Sequence, residues 1–483
     1  MSPASLRMLT ITELLINRTS KKDFPLIEDK MTLQFVEPDD LRAAFCTALS
    51  NMYRREVPLY GDLVSLVDDI NTKVTACSPG IWEVSQRLRV ERHGAIRLGK
   101  PSELTMIARL FKLLGMFPVG YYDLSTSGVP VHATAFRPVD SKSLDKHPFR
   151  VFTSLLRPEL ILDDELRDTV QEILDGRDIF HPKVKAVIAK AESEGGVRQE
   201  DAEDLVRNAL ETFMWHERAL VSQDVYEKMK KMHPLLADIA GFKGPHINHL
   251  TPRVLDIDMV QRMMSERGIP PKRVIEGPPK RICPILLRQT SFQALTEPIL
   301  FAGASPGAVS HGSHRARFGE IESRGCALTS KGHDLYQQLM SSAGRLTPTD
   351  DNDKWQLRLS SIFSTFPDSW TALREQGLAY FIYKVNPLPF SPPEPATLEE
   401  LIQAGVVTFT PMVYEDFLPA SAAGIFQSNL GEHEQQTAEG KGAAKEQLEG
   451  YLGKEVFNYF KLYEDMEKAS LEEVKRLTGC RLE

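Results

Sequence analysis

The sequence predicts an α+β fold in which helices cover a curved mixed β-sheet, and three observations predict it. Segments rich in Val, Tyr and Thr with Gly and Pro punctuation occupy about 115–138, and strand-like patterns return over 272–329. A charged, mostly helical block at about 156–236 separates them. Three stretches that carry metal-binding side chains flank that block: ERHGAIRLG (Glu91 to Gly99), KGPHINHLTPR (Lys243 to Arg253) and RFGEIESRG (Arg317 to Gly325). Strands on either side of a helical block suit a sheet that holds a site while helices pack outside it.

Taken in order, Ser5 to Lys22 mixes Leu and Ile with Arg7, Arg18, Lys21 and Lys22, faintly like an organelle-targeting helix, but Glu13 is wrong for one. Residues 1–30 are therefore expected to be a plain extension, and 31–483 a single catalytic domain. Apolar residues recur at helical spacing in FCTALSNMY and LVSLVDDI, which predicts an amphipathic helix over Leu41 to Lys73. The block at 156–236, with EILDGRD, KAVIAKAESEGG and EDLVRNALETFMWHE, reads as a helical insertion. CPILLR and RFGEIE read as strands, and charged helices over Lys445 to Leu477 cap the domain.

His93 and Arg97 are four residues apart, so they share a face on a helix or a strand. Gly244-Pro245 before His246 and Pro252 after Thr251 favour a short strand or loop, on which His246 and His249 face opposite sides. Glu320 and Glu322 fall on one face of a strand, and at most one need bind metal. Two imidazoles and one carboxylate are the donor set of a non-haem iron site that keeps positions open for substrate and oxygen. Alternation alone does not choose between His246 and His249, or between Glu320 and Glu322. His132, in VPVHAT, and Gln289, after ILLR, are candidates to orient a ligand, though a packed strand histidine is the plainer reading of His132.

Other patterns lead elsewhere. Gly303-Ala304-Ser305-Pro306-Gly307 matches a hydrolase elbow, but Pro306 has no N–H for an oxyanion hole. His311 and His314 fall in a Gly/Ser-rich stretch expected to be mobile surface, with no acid fixed nearby. A net charge of -8 argues against nucleic-acid binding. No apolar run approaches the roughly 18 residues of a membrane span. Cys46, Cys77, Cys283, Cys326 and Cys480 are odd in number and scattered, which favours a reducing compartment.

The strings ERHGAIR, MFPVGYYDL, GVPVHATAFRP, FRVFTSLLRPELI, HINHLTPRVLDID, EGPPKRICPILLRQTSF, ARFGEIESRG and YEDFLPASAAGIFQSNLG closely resemble the 2-oxoadipate dioxygenase/decarboxylase family, from about Met31 to the C-terminal helix. The resemblance implies a vicinal-oxygen-chelate-like fold with a duplicated βαβββ unit, although no repeat is visible in the sequence. It implies an Fe(II) enzyme that converts 2-oxoadipate and O2 to 2-hydroxyglutarate and CO2, late in lysine breakdown. Carried over by position, it implies His93, His249 and Glu322 as metal ligands and Arg97 as the holder of the substrate carboxylate. Ala420 and Ser421 fall where the family makes further substrate contacts, Ser421 being grouped with Arg97 as catalytic. Ala420 departs from the family's Val, which puts the substrate range in question. The expected partners are a small 2-oxo acid and O2, and the expected address is cytoplasmic, with a mitochondrial one left open. A zinc hydrolase on the same two His and one Glu, or a non-catalytic relative, are the competing readings.

Overall fold

The computed structural model describes residues 35–481 apart from 78–85, 126–127, 303–308, 345, 347–349, 388–395 and 419–441. The N-terminal extension, the Gly303 to Gly307 elbow, Ala420 and Ser421 lie outside the described residues. The single helix expected over Leu41 to Lys73 is two, Pro38–Glu56 and Pro58–Cys77, because Pro58 disfavours helical backbone at Val57 and suits the first turn of the next helix.

A five-stranded mixed sheet follows, in the order β2-β3-β4-β1-β5. Its strands are β1 (Arg92–Leu98), β2 (Phe117–Asp123), β3 (Val131–Arg137), β4 (Phe149–Leu156) and β5 (Leu250–Pro252). β1 is parallel to β4 and antiparallel to β5. The helix Pro101–Leu113 connects β1 to β2, with Pro at its start and the Glu103 carboxylate accepting from Gly99 N at 2.8 Å. Residues 92–156 thus form a βαβββ unit with a short helix, Ser141–Lys146, between β3 and β4.

Between β4 and β5 the chain forms the helices Asp164–Asp175, Pro182–Glu194, Gln199–Ala209, Gln223–Met232 and Pro234–Ala240. Arg177 ties this block to the helix Pro101–Leu113 through two bonds to Glu103, at 2.9 and 2.8 Å. The strands after β5 are β6 (Leu287–Ser291), β7 (Glu297–Ala302), β8 (Val309–His314) and β9 (Glu320–Arg324). β6 pairs antiparallel with β9, and β7 with β8. Beyond β5, Arg253 bridges Glu322 in parallel, and Val254 N donates to Glu322 O at 2.7 Å. The helix Ile257–Glu266 leads from β5 toward β6, so β5, this helix, β6 and β9 echo the first unit with a hairpin inserted.

Buried side chains gather in three apolar clusters: one under the first two helices, one between the sheet and the helical block, and one around the C-terminal third. In the last, the helix Tyr459–Thr478 packs on β10 (Phe381–Val385), which pairs with β11 (Val407–Pro411). All five cysteines are free thiols. No helix among the described residues is long and apolar enough to cross a membrane.

Candidate active site

β1 and β5 place the two histidines. His93 pairs with Thr251 and Gly94 with Leu250, while Asn248 N donates to Ala95 O at 3.0 Å, so the His246 to His249 segment lies against β1. Gly94 makes that approach possible, because a Cβ there would stand 2.7 Å from Ile247 Cδ1 and 2.9 Å from the His249 carbonyl oxygen. The rings of His93 and His249 meet edge to face, 5.4 Å between centroids at 86°.

β9 supplies the carboxylates. Glu320 Oε2 lies 3.4 Å from His249 Nδ1, and Glu320 Oε1 lies 3.8 Å from His93 Nε2. The Gln289 side chain, on β6, donates to Glu320 Oε1. Glu322 is held differently. Arg324 grips both its oxygens, Nε to Oε1 at 2.7 Å and Nη2 to Oε2 at 3.0 Å, and His93 Nδ1 is 3.1 Å from Oε2. The donor set that converges is therefore His93, His249 and Glu320, all completely buried. The resemblance implies Glu322 as the carboxylate ligand; in the structure that carboxylate is gripped by the buried Arg324 guanidinium, which already offsets its charge.

The electrostatics separate the two acids further. Burial, reinforced by Glu322, raises the Glu320 carboxyl well above the ordinary range. Burial pushes Glu322 the same way, but Arg324 and His93 outweigh it and bring it to about 2. Burial lowers both imidazoles, His249 strongly, with His93 and Arg97 adding to it, so they are held in the neutral form that binds metal. Both ring nitrogens of His249, both of His93 and Glu320 Oε2 lack a hydrogen-bond partner among the described residues. Buried polar atoms left this way are costly, and a divalent cation would satisfy one nitrogen of each ring together with the carboxylate oxygen. The residues present fit a metal.

Around this centre Phe417 packs edge-on to His93 at 5.0 Å, and Phe318 to His249 at 4.9 Å. Behind it runs a buried charge network. Arg150 and Arg253 each donate to Glu91 at 3.0 Å, Arg87 donates to Glu415 at 2.5 Å, and Arg324 reaches the carbonyls of Tyr414 and Asp416. This network anchors the segment Tyr414 to Asp416, which follows the strand Val407–Pro411.

Arg97 lines a neighbouring cavity of about 800 Å³ with Asp238, Lys272, His314 and Phe318, the last of which packs on His249. Arg97 pairs with Asp238 at 2.5 Å, whereas nearby Glu91 is taken by other arginines. His246 does face away from His249, to within 3.2 Å of Asp238. His314 overturns the expectation of a mobile surface loop: it is buried at the end of β8 and lies 2.8 Å from Asp238, while His311 is exposed on the same strand. The β7–β8 pairing orders a stretch whose Gly and Ser content reads as loop. His132 is a packed strand histidine, 3.5 Å from Tyr121 Oη and lowered to about 4 by burial. Asp238 escaped the sequence reading, although one acid inside the apolar PLLADIA helix was a usable signal.

Residues 45–429 match the 2-oxoadipate dioxygenase/decarboxylase family. The chain belongs to that family. The 2-oxoadipate dioxygenase/decarboxylase of Pseudomonas putida is 50% identical over 452 residues, covering 91% of this chain and 97% of its own. That of Escherichia coli is 49% identical over 450 residues, covering 90% and 98%. Among solved structures, the hydroxyglutarate synthase of Pseudomonas putida in complex with 2-oxoadipate superposes with a TM-score of 0.82 at 48% identity, covering 92% of this chain and 99% of that one. As a family member the chain is an oxygen-using enzyme, and its described residues have the mixed sheet and helical cover expected of it.

Proposed function

We propose that this protein is an Fe(II) enzyme that converts 2-oxoadipate and O2 to 2-hydroxyglutarate and CO2, in lysine catabolism. The observation that carries the reading is the buried His93, His249 and Glu320 set beside a cavity lined by Arg97, in a member of this family. The Pseudomonas putida relative that superposes on this chain was solved with 2-oxoadipate bound. The stoichiometry balances without another reductant: CO2 leaves with the substrate's own carboxylate oxygens, one atom of O2 enters the carboxylate formed at the former keto carbon, the other enters the product hydroxyl, and the substrate supplies the electrons.

His93, His249 and Glu320 would hold the iron, which would supply open positions for a chelating 2-oxo acid and for O2. On holding a metal Glu320 would give up its carboxyl proton, and Gln289 keeps Glu320 Oε1 aimed at the site. Glu322 orients His93 from its Nδ1 side while Arg324 keeps it ionised, the carboxylate–imidazole arrangement that fixes a ligand ring. Phe318 and Phe417 exclude water from the two imidazoles. Arg97 receives the far carboxylate of the substrate in a planar fork. Ala420 and Ser421 would make further contacts with the substrate, as the family resemblance implies.

The deciding experiment loads the protein with Fe(II) anaerobically and measures oxygen uptake and CO2 release on 2-oxoadipate and its one-carbon neighbours. Coupled, equimolar consumption and release on 2-oxoadipate is the expected result. A zinc hydrolase on the same side chains would consume no oxygen, and silence across the series would remove the assignment.

A further inference from the structure

Arg97 is held from behind by a chain of buried polar groups. Its Nη1 donates to Asp238 Oδ2 at 2.5 Å, and Asp238 Oδ1 lies 2.8 Å from His314 Nε2 and 3.2 Å from His246 Nε2. His314 Nδ1 is 2.6 Å from Tyr226 Oη. An ionised carboxylate only accepts, so His314 Nε2–H points at Asp238; in a neutral ring Nδ1 then accepts from the tyrosine O–H. Trp215 stacks on His314 at 5.8 Å and meets His246 edge-on at 4.8 Å, which locks both rings. The members come from separate elements: Tyr226 and Asp238 from two helices of the insertion, His314 from β8, Arg97 from β1. Tyr226, Asp238, His314 and Arg97 all line the same cavity.

Asp238, His246 and His314 also lie close enough together to bind a cation. The guanidinium of Arg97 on the same carboxylate opposes a second positive charge there, and the hydrogen bonds already satisfy Asp238. We infer that Tyr226, His314 and Asp238 form a positioning relay that aims Arg97, and so set the preference for a 2-oxo acid bearing a second carboxylate at its far end. This rests on the proposed function, in which Arg97 receives that carboxylate.

The test compares the iron-loaded parent with Asp238→Asn, Tyr226→Phe, Arg97→Ala and the Arg97→Ala/Asp238→Asn double variant. Asp238→Asn should raise KM for 2-oxoadipate about tenfold or more, with iron content and KM for O2 unchanged. Its kcat/KM advantage for 2-oxoadipate over 2-oxohexanoate, which lacks only the far carboxylate, should fall by a similar factor. In the Arg97→Ala background the same change should add less than about twofold, because a residue that acts through Arg97 has nothing left to act on. Tyr226→Phe keeps the ring and its packing and should move KM in the same direction by about two- to fivefold, which preserves the test if Asp238→Asn does not fold. Parental KM in both variants, or an undiminished loss without Arg97, would overturn the relay. So would a second metal equivalent lost on Asp238→Asn. A parent silent on 2-oxoadipate would strike the proposed function instead.

Discussion

Glu320 and Glu322 stand two residues apart on one strand, both fully buried, yet burial holds the first carboxyl well above its ordinary range while Arg324 helps bring the second to about 2. The guanidinium makes the difference, since it reaches Glu322 at 2.7 Å, whereas Glu320 has no arginine on it among the described residues and lies 3.4 Å from His249.

Glu320→Gln should therefore abolish stoichiometric iron binding, whereas Glu322→Gln should weaken affinity by about 10- to 100-fold as an orienting partner of His93. Iron content after gel filtration, followed by a competitive chelator titration, separates them. Reversal of the two outcomes would return the ligand role to Glu322.

Iron affinity should climb with pH. Glu320 binds metal as a carboxylate but holds its proton well above the ordinary carboxyl range, while the buried imidazoles are already neutral and compete little. About one proton should be released per iron bound, read by calorimetry in two buffers of different ionisation enthalpy. No proton release would show that Glu320 is not the group that titrates.

Arg97→Ala should lower kcat/KM for 2-oxoadipate by about 3 to 5 kcal/mol, partly because Asp238 is left buried without its cation. A one-carbon change in substrate should cost less, about 1 to 3 kcal/mol. Near-parental kinetics in the variant would remove Arg97 from the pocket's chemistry.

Gly94→Ala should loosen the metal centre without touching a ligand. Its Cβ would press on Ile247 and the His249 carbonyl, so a destabilisation of about 1 to 3 kcal/mol and weaker iron binding are expected together. Denaturant unfolding with and without Fe(II) measures both. An unchanged midpoint and unchanged affinity would mean that β1 and the His249 segment separate at little cost.

Acid should unfold the protein through the arginine–carboxylate network. Burial works against the Glu415 carboxyl, but Arg87 and Arg150 bring it from 4.5 to about 2. Its folded value is depressed, so the stability it contributes is fully present above 4.5 and is lost as pH falls toward about 2. Glu415→Gln should be less stable at neutral pH and show a shallower acid dependence in urea titrations. A parallel dependence would place the acid sensitivity elsewhere.

The sequence by itself determined the α+β class, the β2 and β3 strands, the helical block and the pairing of His93 with Arg97 on one face, because each follows from local periodicity or from Gly and Pro within a few residues. Long motifs also carried the family. Only the tertiary structure decided which carboxylate lies near both imidazoles, that Val57-Pro58 breaks the first helix in two, and that His314 is buried with Asp238 as its partner. Those outcomes depend on neighbours remote in the chain: Gln289 turns Glu320 inward, while Tyr226 and Asp238 capture His314. Helix breaking at Val57 is local, but apolar spacing ran through it and outweighed the Pro58 signal. Burial and pairing set the charge of each group, and both arise only when separate strands and helices close on one another.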